Sequence, residues 1–107
     1  MSRMDGKVCI VTGASAGIGR ATAALFCQEG AKVVAVARRE ERLKELAEEC
    51  KGMPGTMVWY AGDVGDPATA VGMVQKAVET FGRLDAAVNG AGIMDDNTAI
   101  ADLSDEM

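Results

Sequence analysis

Short apolar, β-branched runs alternate with helix-period stripes along this chain, and that alternation restricts its fold more than any other feature. Lys7–Thr12 (KVCIVT) reads as a buried strand that stops at Gly13. Residues 17–29 carry Ile18, Ala21 and Leu25 on one helical stripe, with Gly30 as the stop. Lys32–Ala37 (KVVAVA) is a second strand, and residues 40–50 place Leu43, Leu46, Ala47 and Cys50 on one face of a charged helix. Thr56–Ala61 (TMVWYA) is a third strand by composition. Asp66-Pro67 supplies a cap and a first-turn proline for a helix striped by Val71, Val74, Val78 and Phe81 and ended by Gly82. Leu84–Val88 (LDAAV) is a fourth strand. The order β-α-β-α-β-α-β predicts an α/β fold: a Rossmann-like, doubly wound parallel sheet of four strands and three helices, with the first strand near the centre and the sheet incomplete.

Composition narrows the chemistry. The 107 residues contain no histidine, which removes the commonest general base and metal ligand, and no metal site is expected. Cys9, Cys27 and Cys50 form no CxxC pair and read as reduced, partly buried residues. No apolar run is long enough to span a bilayer, and MSRMDGK lacks the apolar core of a signal peptide, so the expectation is a cytoplasmic protein without a membrane partner. The net charge of −5 comes from the end of the chain: residues 84–107 hold six acidic residues and no basic one. Nothing forms the basic footprint of a nucleic-acid binder.

The chemistry-bearing segment is Thr12-Gly13-Ala14-Ser15-Ala16-Gly17-Ile18-Gly19, which follows a strand and opens a helix. Glycines there permit a tight turn, close approach of backbone to a pyrophosphate, and tight packing of helix on strand. The helix start presents free N–H groups and a partial positive charge to an anion. A glycine-rich turn that binds nothing is the alternative for the motif taken alone. Its spacing is G-x-x-x-G-x-G, and TGASAGIG resembles the TGxxxGIG motif of the short-chain dehydrogenase/reductase family. Asp63-Val64 after the third strand is similar to that family's adenine-contacting pair. Asn89-Gly90-Ala91-Gly92 after the fourth resembles its NNAG motif, with Gly90 in place of the second asparagine. Arg38, 19 residues beyond Gly19, stands where the family sets cofactor choice. The resemblance runs from about Lys7 to the last residue.

That resemblance implies a dinucleotide site with defined parts. Gly13, Gly17, Ile18 and Gly19 would line the pyrophosphate, and Ser15 and Arg38 would meet the adenosine ribose and its 2′-phosphate. Asp63 and Val64 would flank the adenine, while Asn89, Ala91 and Gly92 would lie on the nicotinamide side. Charge argues for NADP over NAD. An NAD site needs a carboxylate at the end of the second strand. Ala37 stands there, followed by Arg38 and Arg39, whose guanidinium groups suit a phosphate. A solvated helix start is the competing reading of the two arginines, and Ala16, where a basic residue would add to the case, argues mildly against NADP. Asp63 also reads as a turn carboxylate, and Asn89 as a brace between neighbouring loops.

The family's reaction, hydride transfer between NAD(P)(H) and an alcohol/carbonyl pair, implies a Tyr-x-x-x-Lys pair. None exists here. The single tyrosine, Tyr60, lies in the third strand and is followed four residues on by Val64. No catalytic residue is therefore assigned, the chain alone is expected to be inactive, and a small-molecule substrate is expected only for a longer form. Ser104-Asp105-Glu106 reads as a helix cap with an acidic first turn, cut after Met107. The expectation is the cofactor-binding part, residues 1–107, of a longer oxidoreductase, with exposed apolar surface and self-association. The alternative is a short non-catalytic nucleotide-binding pseudo-enzyme or a regulatory, partner-binding protein.

Overall fold

A computed structural model describes residues 4–89. Its elements are β1 (Val8–Thr12), α1 (Gly17–Gln28), β2 (Lys32–Ala37), α2 (Glu40–Glu49), β3 (Thr56–Ala61), α3 (Pro67–Phe81) and β4 (Ala86–Asn89). Among the described residues the sheet has four strands in the order β3-β2-β1-β4, all pairs parallel. β1 is thus an inner strand, as the alternation predicts. The succession β1, β2, β3 moves outward in one direction and β4 returns to the other side of β1, so the order reverses between β1 and β4. That reversal opens a crevice at the carboxyl ends of the strands.

Both faces of the sheet are covered. Cys9, Val11, Val33 and Ala35 pack with Ala23 and Cys27 of α1 and Leu43 and Leu46 of α2. Val8, Ile10, Val34 and Val36 point the other way and pack with Ala77, Met73 and Phe81 on α3. Near-continuous burial of β1 and β2 follows from having helices on both sides.

The α2 stripe buries as its sequence predicts, through Leu43, Leu46 and Cys50. The other two helices present different faces. On α1 the buried residues are Gly19, Ala23 and Cys27, while Ile18 and Leu25 face solvent. On α3 the sheet-facing residues are Thr69, Met73, Ala77 and Phe81, while Val71, Val74 and Val78 are exposed, Val71 at 59%. On α1 a row of small residues at i, i+4, i+8 lets the helix sit close to the sheet and the bulkier aliphatic row is turned away; on α3 the row Thr69, Met73, Ala77 and Phe81 packs instead of the valines. Helix ends follow local chemistry: Asp66 accepts from the Ala68 N–H ahead of Pro67, and Gly82, at φ +83°, closes α3.

β4 begins later than its apolar run, at Ala86, because Asp85 substitutes for a ladder position. Its carboxylate accepts from the buried Val8 N–H at 2.8 Å, and its own N–H donates to the Val8 carbonyl at 2.8 Å. These two bonds start the β1–β4 pairing. The bond from Val8, and the Arg83 guanidinium 2.5 Å away, hold the Asp85 carboxyl below its ordinary value. A depressed carboxylate stabilises the fold above its unfolded range, near pH 4, and that stabilisation disappears as pH falls through the lowered folded value. Asp85→Ala, which orphans the Val8 N–H, is expected to cost about 1–3 kcal/mol in urea unfolding at pH 7. Asp85→Asn should flatten the loss of stability between pH 5 and pH 2 relative to the parent chain; an unchanged profile would contradict the assignment.

Candidate functional site

The crevice is built from three strand ends. Gly13 follows β1, Arg38 follows β2 and Gly62 follows β3, and the Gly62 N–H donates to the Ala37 carbonyl at 2.9 Å to tie two of these turns together. Gly13, Ser15, Ala37, Arg38, Arg39, Gly62, Asp63 and Val64 line one cleft of about 510 Å³. A short, buried Ala37 leaves room at the floor of this cleft, and two exposed guanidinium groups stand beside it.

At the head of the cleft the chain turns from β1 into α1. Gly13 has φ +67° and Gly17 φ +61°, both in the left-handed region that disfavours side chains. Gly19 has ordinary helical geometry and serves a different purpose. A Cβ on it would lie 2.7 Å from the Gly13 carbonyl carbon and closer still to its oxygen. Only a hydrogen there lets the first turn of α1 rest on the β1–α1 turn.

The start of α1 is chemically incomplete. Ala16 occupies the cap position and no side chain there accepts from the helix N–H groups; among the described residues the first turn holds no acidic side chain. α3 contrasts, since Asp66 fills the same position with its own acceptor. An uncapped helix start beside a glycine turn suits an anionic oxygen, which would meet backbone donors and the positive end of the helix dipole.

Of the residues singled out from the sequence, Gly13, Ser15, Arg38, Arg39, Asp63 and Val64 meet in the cleft. Gly17 and Ile18 form the exposed start of α1, and Gly19 is buried beneath it. Asp63 serves its own turn, accepting from the Gly65 N–H at 2.9 Å. Asn89 stands apart at the end of β4, where its Oδ1 accepts from the Thr12 hydroxyl at 3.1 Å, and it lines a smaller recess with Thr12, Val64, Met73, Ala87 and Val88. That bond joins the two strands at the reversal of strand order. Ala91 and Gly92 lie outside the described residues, as does the helix start read at Ser104-Asp105-Glu106. Ala37, read as the position of cofactor choice, lines the cleft, and one cleft residue escaped the sequence reading, Gly62. Gly62 carried a usable signal in its place directly before Asp63 at a strand end; a Cβ there would meet the Thr69 side chain at 2.8 Å.

Among the described residues no group of three or more histidine, cysteine or acidic side chains is arranged to hold a metal ion, and no helix is long and apolar enough to cross a membrane.

Comparison with known proteins bears on this geometry. The model of the short chain dehydrogenase family matches residues 7–107. A 3-oxoacyl-[acyl-carrier-protein] reductase of Thermotoga maritima is 46% identical over 94 residues, covering 88% of this chain and 38% of that protein. Among solved structures, the apo glucose dehydrogenase of Caenorhabditis elegans is similar at a TM-score of 0.75 and 38% identity, over 82% of this chain and 38% of that one. The L-sorbose reductase of Gluconobacter frateurii, solved with NADPH and L-sorbose, is similar at 0.74 and 38%, over 78% and 32%. The chain therefore spans less than two fifths of the length of each of these proteins.

Two glycines distinguish packing from backbone freedom. Gly19→Ala, which drives a methyl into the Gly13 carbonyl, is expected to cost more than about 3 kcal/mol, the upper end of ordinary overpacking. Gly17→Ala meets open space and should cost only about 1–2 kcal/mol for its left-handed backbone. Urea midpoints for the two variants test the ordering, and equal losses would contradict it.

Proposed function

Because the chain belongs to the short-chain dehydrogenase family, we propose that residues 1–107 form a dinucleotide-binding, Rossmann-like portion of an oxidoreductase and that its cofactor is NADP. The observation that carries the reading is the pair Arg38 and Arg39 on the wall of the cleft, beside Ala37 where an NAD site would place a carboxylate. A carboxylate would repel a 2′-phosphate, and a guanidinium forms charge-assisted hydrogen bonds with it. The similarity to a reductase solved with NADPH supports the same choice.

The residues fit the group. The uncapped start of α1, with Gly13, Gly17, Ile18 and Gly19, would take the pyrophosphate, and Ser15 and Arg38 the 2′-phosphate and its ribose. Arg39 adds positive potential, and Asp63 and Val64 would bound the adenine. Asn89, held by Thr12, would stand with Ala91 and Gly92 on the nicotinamide side. When bound, NADPH supplies a hydride for a carbonyl, or NADP accepts one from an alcohol; this chain's residues bind and orient it. The acid–base part is absent from the sequence: Tyr60 is packed in β3, its ring against Gly72 of α3, and no Tyr-x-x-x-Lys occurs. Binding without turnover is the expected behaviour of the 107-residue chain, with a small-molecule substrate turned over only by a longer form. The exposed Val71, Val74 and Val78 favour self-association of the isolated chain.

Titration calorimetry tests the cofactor. NADPH should bind more tightly than NADH, and Arg38→Ala should weaken NADPH by roughly tenfold to a hundredfold, the range for a lost charge-assisted bond, while leaving NADH nearly unchanged. Equal affinities, or equal loss for both, would overturn the choice of NADP. The purified chain should show no NADPH-dependent carbonyl reduction; turnover that survives removal of host reductases would contradict the assignment of binding alone.

A further inference from the structure

The three cysteines are all buried, and two of them meet. Cys27, in the last turn of α1, and Cys50, which caps α2, belong to one apolar cluster, near enough for each thiol to act on the other's ionisation. Backbone bonds hold the two ends together. The Cys50 carbonyl accepts from the Met53 N–H at 3.1 Å, and two residues on the Gly55 N–H donates to the Cys27 carbonyl at 2.8 Å. The turn between α2 and β3 thus wraps over the end of α1 and carries Cys50 against Cys27. Cys9 lies on β1 in the same cluster, but its charged neighbours are Asp85 and Lys7.

We propose that Cys27 and Cys50 are a redox couple that closes to an intramolecular disulfide in the presence of a low-molecular-weight disulfide. This reading is independent of the cofactor assignment. Cys50 is the entry point: it sits at the end of α2, next to the exposed Lys51, Gly52 and Pro54, so fraying of one helical turn brings it to solvent. Its sulfur attacks one sulfur of the small disulfide, a mixed disulfide forms, and the displaced thiolate leaves with the Cys50 proton. Cys27 then attacks the Cys50 sulfur, the bond to the small thiol breaks, and the second thiol leaves with the Cys27 proton. Two protein thiols are oxidised and one small disulfide is reduced to two thiols.

The environment sets the order of attack. Burial raises the Cys50 thiol, but the neighbouring Cys27 thiol and the Arg20 guanidinium work against that rise, with Glu49 adding to it. Cys27 is pushed up to about 11, chiefly by burial and then by Cys50 itself. Cys50, at a helix end flanked by exposed residues, is the thiol that first meets the small disulfide, and Cys27, fully buried in α1, the one that resolves the mixed disulfide. A bond of about 2.05 Å between the sulfurs requires their Cα atoms to come within about 7 Å, and the Gly55–Cys27 backbone bond holds the turn after Cys50 on the end of α1. It would tie α1 to α2 at the ends remote from the cleft.

The test incubates the full 107-residue chain with excess oxidised glutathione, alkylates it in denaturant and reads intact mass and tryptic peptides. Expected are the loss of two hydrogens, one alkylated thiol at Cys9, and a link between the peptides spanning 21–32 and 45–51. Cys9→Ala should keep that link, and Cys27→Ser should abolish it and leave Cys50 as a stable glutathione adduct. The oxidised chain should also unfold at higher urea than the reduced one. Three alkylatable thiols after treatment, a link that includes Cys9, only intermolecular disulfides, or an adduct on Cys50 that never closes in the parent chain would each overturn the proposal. The Cys9→Ala result stands even if Cys27→Ser does not fold.

Discussion

The contact of Gly19 with the Gly13 carbonyl is the constraint on which the rest of this molecule depends. Because position 19 carries no side chain, α1 descends onto the β1–α1 turn, and its first N–H groups come to the rim of the crevice. The same close approach seats Ala23 and Cys27 on the sheet, where they meet β1, β2 and α2. A larger residue would lift the helix, withdraw its positive end from the crevice and open the core beneath it. Packing and the proposed anion recognition therefore rest on one missing methyl group.

The two sides of the crevice divide the electrostatics. On one side the backbone supplies donors, with no capping side chain at Ala16 to compete for them. On the other, Arg38 and Arg39 supply full charge on an exposed turn, held between β2 and the start of α2. Trp59 helps fix that turn, its indole N–H reaching the Glu40 carboxylate at 3.4 Å. Backbone donors are rigid and unspecific among anions; guanidinium groups are mobile and discriminate by charge and shape. A ligand with two separated phosphates would use both.

Most of the architecture was legible because the alternation of strand and helix periods is strong, and helix ends carry plain chemistry at Asp66-Pro67 and Gly82. The cleft was legible through TGASAGIG, Arg38 and Asp63-Val64. Helix orientation was not, except for α2, whose charged residues leave a single apolar face. α1 and α3 are apolar on two faces, and hydropathy favours the larger residues: Ile18 and Leu25 on α1, Val71, Val74 and Val78 on α3. On α1 close approach to the sheet favours the smaller ones instead, Gly19, Ala23 and Cys27, and on α3 the packed row is Thr69, Met73, Ala77 and Phe81. Backbone proximity, a property of the assembled fold, decides between them. The late start of β4 was hidden for a similar reason, since only the β1–β4 pairing reveals that the Asp85 carboxylate takes the Val8 N–H.

The central claim is that one cleft joins the uncapped helix start to the arginine pair and reads a 2′-phosphate. Amide chemical shifts during titration with adenosine 2′,5′-bisphosphate, and separately with adenosine 5′-monophosphate, test it most directly. The account predicts that both ligands shift Gly13, Ser15, Gly17, Asp63 and Val64, and that only the bisphosphate shifts Arg38 and Arg39 strongly. Equal shifts at the two arginines with both ligands, or shifts centred on β4 and α3 instead, would contradict it.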